Sequence, residues 1–175
     1  MEHFSVVKPE TIQENFIKSI GHEWMLVTAG TPESWNTMTA AWGGVGFLWQ
    51  KPVSFSFVRC SRYTYEFMES VPYHTLTFFS KMSKAALQYC GTHSGRNVDK
   101  AQETGLTTME LDFQTVSFTQ ARLVLVCRKI YRDDIKDEFF LDENIFKHYP
   151  KEADGSRDLH RMYIGEIVKA YQGLL

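Results

Sequence analysis

Two short stretches of the chain set hydroxyls beside guanidiniums where a helix is about to begin. In "VRCSRYTYEFMES" (58–70), Ser61 stands at an N-cap position, Arg59 and Arg62 flank it, and Thr64 falls in the first turn. In "THSGRNVDK" (92–100), Ser94, Gly95, Arg96 and Asn97 precede a helix expected near Val98, with Lys100 in its first turn. Free backbone N–H groups at a helix start, a hydroxyl and basic side chains together make an anion site, and phosphate suits it. Each stretch alone is also what a capped surface helix looks like. Two of them in one small chain shift the balance toward a phosphorylated ligand.

A third stretch, "SWNTMTAAWGGVGFLWQKP" (34–52), combines Trp42, Phe47 and Trp49 with Gly43, Gly44 and Gly46. Glycine inside a strand marks a bulge or a close backbone approach. Whether that approach is to the chain itself or to a flat ligand is left open by the residues. With the two anion stretches nearby, the combination points to a phosphorylated aromatic ligand.

Side chains that could run a reaction alone are missing. The chain has no H-E-x-x-H, no Cys/His set at zinc spacing, no G-x-S-x-G elbow and no Walker A loop. "GGVG" (43–46) is not a G-x-G-x-x-G and does not open a helix, so a Rossmann nucleotide site is unsupported. An enzyme built this way must take its reactive group from a cofactor.

The elements that would position these residues are mostly strands. "EWMLVTAG", "PVSFSFVR", "HTLTFFS", "QTVSFTQARLVLVCRKIYR" and "HRMYIGEIVKAYQ" carry strand patterning. In the second, Val53, Phe55 and Phe57 are expected to face the core and Ser54, Ser56 and Val58 to face away. In the fourth, Val116, Phe118, Ala121, Leu123, Leu125 and Cys127 are inward candidates, with a bulge or bend near Thr119 and Gln120 where the phase changes. Helices are expected over "KPETIQENFIKSI" (stopping at Gly21), "SRYTYEFMES", "SKAALQYCGTHS" and "KDEFFLDENIFKHY". The pattern predicts a single domain over 1–175, mainly β, an antiparallel barrel with short peripheral helices.

With 43% apolar and 14% aromatic residues, 175 residues can bury one sizeable core. The net charge of −2 is spread along the chain, which argues against a nucleic-acid or acidic-membrane surface. No stretch reaches the ~20 apolar residues of a membrane span. Cys60, Cys90 and Cys127 are far apart and odd in number, and "MEHFSVVKPE" does not read as a secretory leader. They are expected as reduced thiols in a cytoplasmic protein.

The succession "NTMTAAWGG", a strand, "VRCSRYTYEF", "SGRNVDKAQETGLT" and "HRMYIGEI" resembles the flavin reductase-like, FMN-binding split-barrel family, in its flavoredoxin-type branch. The likeness runs from about Trp24 to Val168. It implies a Greek-key split β-barrel that forms a homodimer with FMN at the interface. Asn36, Thr37, Met38 and Thr39 would line the isoalloxazine, with Ala40, Ala41 and Trp42 continuing the wall, and small residues there would let the backbone approach the ring. Arg59, Ser61, Arg62 and Thr64 would match the phosphate and ribityl segment. Ser94, Gly95, Arg96 and Lys100 would match the second motif, its basic side chains reaching the phosphate or the ring. His160 would face the flavin or the nicotinamide; against that stands a strand histidine satisfied by Asp158.

The activity implied is hydride transfer from C4 of NADH or NADPH to flavin N5, with electrons leaving to a small-molecule or protein acceptor. The alternative is a flavoredoxin-like FMN electron carrier without nicotinamide turnover of its own. Pyridoxamine-phosphate oxidase chemistry ranks lower, because "IVKAYQGLL" lacks a basic substrate clamp. Cys90 and His93 also fall near the expected flavin; a buried thiol there more often acts as a small hydrophobe.

Overall fold

The computed structural model describes residues 4–80 and 83–174. Ten strands and four α-helices follow one another as β1 (Phe4–Val7), α1 (Phe16–Lys18), β2 (Met25–Thr31), β3 (Ser34–Ala40), β4 (Gly43–Leu48), β5 (Lys51–Arg59), α2 (Tyr63–Ser70), β6 (Tyr73–Phe78), α3 (Lys84–Thr92), α4 (Lys100–Thr104), β7 (Thr108–Leu111), β8 (Thr115–Phe118), β9 (Leu123–Asp134) and β10 (His160–Gly173). Eight strands form one antiparallel sheet, ordered β3-β2-β6-β9-β10-β5-β4, with β1 alongside the end of β10. β7 and β8 make a separate two-stranded sheet.

The order of strands dictates the shape. β3 and β4 lie at opposite edges of the sheet, yet only Ala41 and Trp42 join them in the chain. The three Cα steps from Ala40 to Gly43 span at most about 11 Å, so the sheet must curl until its edges meet. The result is a barrel whose seam runs between β3 and β4. β10 holds it together, pairing with β9 over most of its length, with β5 over His160–Glu166 and with β1 over Ala170–Gly173.

Alternate residues of the central strands feed two apolar clusters, as the period of two requires. Met25, Val27, Leu76, Phe78, Leu125, Cys127 and Tyr163 pack on one face. Leu26, Val124 and Val126 pack on the other, beneath Leu87 and Cys90 of α3 and Phe118 of β8. Thr75 and Thr77 of β6 bond to Val116 O and Ser117 Oγ, tying the small sheet to the large one.

Several expectations from the sequence are corrected. In β5 Val53 is fully buried as expected, but the serines turn inward too: Ser54, Ser56 and Val58 are fully buried, while Phe55 and Phe57 are only half-buried. Buried hydroxyls are tolerated when they are bonded, and Ser54 Oγ donates to Cys127 Sγ at 3.2 Å while Ser56 Oγ lies 3.4 Å from His74 Nε2. Gly165 makes room for them, since a Cβ there would lie 2.9 Å from Cys127 Cβ and 3.0 Å from His74 Cε1.

The segment 9–20 is not one helix. A 3-10 turn at Pro9–Thr11 is followed by an Asn15-capped helix that runs through Gly21 to Glu23. The stretch 136–149 forms only 3-10 turns. The expected bend near Thr119 is a full break, which sends β8 and β9 to different sheets.

Gly43 answers the question raised by the glycine-rich stretch. Its φ is +152° where β4 meets β5, and a Cβ would lie 2.6 Å from Phe55 O. The approach is to the chain's own backbone. Gly44 and Gly46 lie over the Phe55 ring at ordinary contact distance, so the three glycines let β4 settle on β5.

Candidate functional site

At the seam of the barrel a cleft of about 270 Å³ is lined by Met38, Thr39, Ala40, Ala41, Trp42, Phe57, Arg59, Arg62 and His160. The end of β3 and its link to β4 make one wall. Arg59 and His160 make another, because the last residue of β5 pairs in register with the first of β10. A second cavity of about 140 Å³ shares Met38 and Arg62 with the first and is lined further by Asn36, Ser61, Tyr63, Thr64, Thr92, His93, Ser94, Gly95 and Lys100. An aromatic-walled cleft thus adjoins a chamber of hydroxyls.

The hydrogen bonds behind these walls fix their shape. Asn36 Nδ2 donates to Thr64 Oγ1 at 2.8 Å. Gly95 backs onto the same amide, where a Cβ would lie 1.9 Å from Asn36 Oδ1. Thr37 points away from the cleft, its hydroxyl 2.8 Å from that of Thr28. The Thr39 hydroxyl donates to Leu87 O, tying β3 to α3. Arg62 Nη1 donates to Gly91 O at 3.0 Å, which draws the end of α3 against the start of α2.

The two helix starts differ from the sequence expectation. Arg62, with no side-chain cap bond, precedes α2, and the Ser61 hydroxyl instead donates to Asp158 Oδ2 at 2.6 Å. α4 begins at Lys100, not Val98, and Asp99 caps it by accepting from Ala101 N and Gln102 N. An acidic side chain near free N–H groups is the reason the helix starts there.

The basic residues divide into two groups. Arg59 donates to His148 O at 2.9 Å, stands 3.7 Å from Asp158 and lies over the Tyr149 ring. With Arg62 it gives the cleft its positive charge. Arg96 is turned outward, paired with Glu66 and stacked over Tyr63. Lys100 is buried and donates to Thr37 O at 2.7 Å and Cys90 O at 2.8 Å. Burial pushes its ammonium down to about 8, with Cys90 opposing and Arg62 assisting. Its charge is spent on two carbonyls that hold β3, α3 and α4 together.

His160 is buried, and its partner is not Asp158 but Tyr149, whose hydroxyl lies 2.9 Å from Nδ1. The Trp42 ring lies 5.1 Å from the imidazole, centroid to centroid. Burial, aided by Arg59 and Arg62 and opposed by Asp158, pushes the imidazole down to about 4. It is neutral at physiological pH.

Tyr149, Phe57 and Thr92 are site residues that the sequence pattern did not single out. Tyr149 ends a stretch read as a helix, and Phe57 was assigned to the core by alternation. Cys90 is buried against Leu87, and its thiol is pushed up to about 11 by burial. The His93 ring stacks on Tyr89 at 3.9 Å and borders the smaller cavity. Among the described residues no cluster of three His, Cys, Asp or Glu could hold a metal ion, and no helix is long and apolar enough to cross a membrane.

Solved structures share this fold at low identity. An FMN-binding domain of a flavin reductases-like enzyme from Shewanella baltica OS155 aligns with TM-score 0.67 and 16% identity, over 97% of this chain and 77% of its own. Flavoredoxin from Methanosarcina acetivorans aligns with TM-score 0.65 and 21% identity, over 93% and 74%. The NADH:FAD oxidoreductase SgcE6 of Streptomyces globisporus, in complex with NAD and FAD fragments, aligns with TM-score 0.62 and 14% identity, over 85% and 73%. No curated protein matches the chain. The family model for the flavin reductase like domain matches residues 17–174, nearly the whole chain. A split antiparallel barrel with its cleft at the seam, carrying that match over residues 17–174, belongs to the flavin reductase-like family.

Proposed function

We propose that this protein is an FMN-binding oxidoreductase that reduces its flavin with NADH or NADPH. One observation carries the reading: the cleft at the barrel seam and the hydroxyl-rich chamber share Arg62 and Met38. A flat ring system with a phosphorylated tail needs that pairing of an apolar slot with a polar end. The residues fit such a cofactor. Ser94 and Thr64 offer hydroxyls, Arg62 offers a guanidinium, and Gly95, lacking a Cβ, lets its loop seat against the Asn36 amide beside them.

In this reading Met38, Thr39, Ala40, Ala41 and Trp42 bound the isoalloxazine, and Arg62, Thr64 and Ser94 hold the phosphate. Lys100 and Asn36 act from behind, fixing β3 and the loop before α4. Arg59 and Ser61 stand on the far wall with Asp158. FMN, when bound, supplies the hydride-accepting chemistry, so the protein has to orient ligands and exclude water rather than provide a strong acid or base. That suits a cleft whose histidine, His160, is neutral at physiological pH.

The flavoredoxin likeness keeps a second reading in play, an FMN electron carrier reduced by a partner protein. An anaerobic visible spectrum of the FMN-reconstituted protein, before and after NADH and then NADPH, separates the two. Rapid bleaching is the expected result and identifies the donor. Bound flavin that neither nucleotide bleaches supports the carrier, and failure to bind flavin removes both. Arg62→Ala is expected to lose FMN while keeping its far-UV circular dichroism; unchanged flavin content would take Arg62 out of the phosphate site.

A homodimer belongs to the same proposal. β4 is an edge strand, and on or just after it Phe47 is 70% and Trp49 56% exposed. An edge with large apolar side chains needs cover, and a second copy of the chain supplies it.

A further inference from the structure

The imidazole on the cleft wall can exist in two neutral tautomers, and the hydrogen-bond accounting around Tyr149 selects one. The Tyr149 side chain is buried, and among the described residues its hydroxyl has one partner, His160 Nδ1 at 2.9 Å. A buried hydroxyl proton must go to an acceptor. Were Nδ1 protonated, it would donate to the phenol oxygen and leave the phenol proton with nowhere to go. The phenol therefore donates, Nδ1 accepts, and the ring proton sits on Nε2.

Nε2 has no protein partner among the described residues, and it is not among the buried atoms left unpaired there. It opens onto the cleft that His160 lines. We propose that Tyr149 is a positioning residue that fixes His160 as the Nε2–H tautomer, so that the cleft wall presents a neutral hydrogen-bond donor to a carbonyl oxygen of the bound ligand.

The surroundings hold the pair in place. Arg157 donates to Tyr149 O, Arg59 lies over the Tyr149 ring with its carbon 5.3 Å from the centroid, and Trp42 packs edge-on to the Tyr149 ring and tilted against the imidazole. Burial and the two guanidiniums of Arg59 and Arg62 keep the imidazole uncharged, with Asp158 the opposing carboxylate. A neutral donor polarises a carbonyl without placing a mobile proton on it. The carbonyl could be that of a flavin or of a nicotinamide carboxamide, and this part of the inference rests on the function proposed above.

Long-range proton–nitrogen NMR on nitrogen-15-labelled, flavin-free protein tests the tautomer whether or not flavin binds, with His160→Gln identifying the signals. The expected spectrum shows a pyrrole-type Nε2 and a pyridine-type Nδ1 for His160 between pH 6 and 8 (a working range of roughly one unit about neutrality), and a mixture of both tautomers in Tyr149→Phe. A protonated Nδ1 in the native protein, or a tautomer unaffected by Tyr149→Phe, overturns the proposal. If Tyr149→Phe does not fold, the native spectrum alone decides the tautomer.

The ligand arms pair Tyr149→Phe with His160→Leu, because a glutamine amide would still donate. Weaker FMN binding in His160→Leu and Tyr149→Phe places the donor on a flavin carbonyl. Unchanged FMN binding with a roughly ten-fold higher KM for the reductant, about the worth of one hydrogen bond, places it on the carboxamide. If neither quantity moves, the donor role is overturned, even where the tautomer is as expected. Failure to bind flavin at all removes the function but leaves the tautomer result standing.

Discussion

A methyl group at Gly95 would stand 1.9 Å from Asn36 Oδ1, and the amide it strikes is the one that holds Thr64 at the mouth of the hydroxyl-rich cavity. Gly95→Ala is accordingly expected to cost about 1–3 kcal/mol through overpacking and to weaken FMN binding by displacing Asn36. Thermal melts and a flavin fluorescence titration check both; an unchanged melting temperature and affinity would mean that the loop shifts freely. The residue types of the site were legible because hydroxyls and guanidiniums clustered at two places in the chain. Their partners were not. That Lys100 bonds Thr37 O and Ser61 bonds Asp158 follows from contacts across 63 and 97 residues of chain, which no local pattern encodes.

Among the elements, β5 shows best where alternation misleads. The pattern placed Val53 in the interior correctly but put Phe55 and Phe57 there with it and the serines outside, because aromatic rings outweigh serines in any hydrophobicity rule. Inside the barrel the serines answer His74 and Cys127, while Phe57 lines the cleft and Phe55 lies under the glycines of β4. The segment 9–20 failed for a related reason. Its apolar spacing was helical, but Asn15 competes for the backbone and caps a new start. β4 carries its own prediction: if the exposed Phe47 edge joins two copies, Phe47→Lys should shift the protein from dimer to monomer at micromolar concentration. Light scattering on a sizing column reads this, and a wild-type monomer would remove the dimer proposal.

At the scale of the molecule, the strand order could not be read from the sequence, because which strands pair is set by packing and not by the period of each. The interior it creates makes the fold acid-sensitive. His74 is fully buried beside Ser56 and Cys127, its Nδ1 has no partner among the described residues, and burial with the nearby Lys129 pushes the ring down to about 3. Its folded value lies below the ordinary 6.5, so the unfolded chain takes up the proton first. Stability is full above about pH 6.5 and falls as the pH drops toward 3. His160, at about 4, adds to the same trend. Urea midpoints are expected to fall steadily between pH 7 and pH 5, and His74→Asn should flatten that slope; a slope unchanged in the variant would assign the acid sensitivity elsewhere.

The Ala41–Trp42 link joins the two edges of the sheet and also lines the cleft. A molecule seated there touches β3 on one side and the ends of β5 and β10 on the other, so it acts as a removable stave in an open barrel. Binding and folding then share one free energy, and occupancy at a hundred times Kd adds about 2.7 kcal/mol to the stability of the whole sheet.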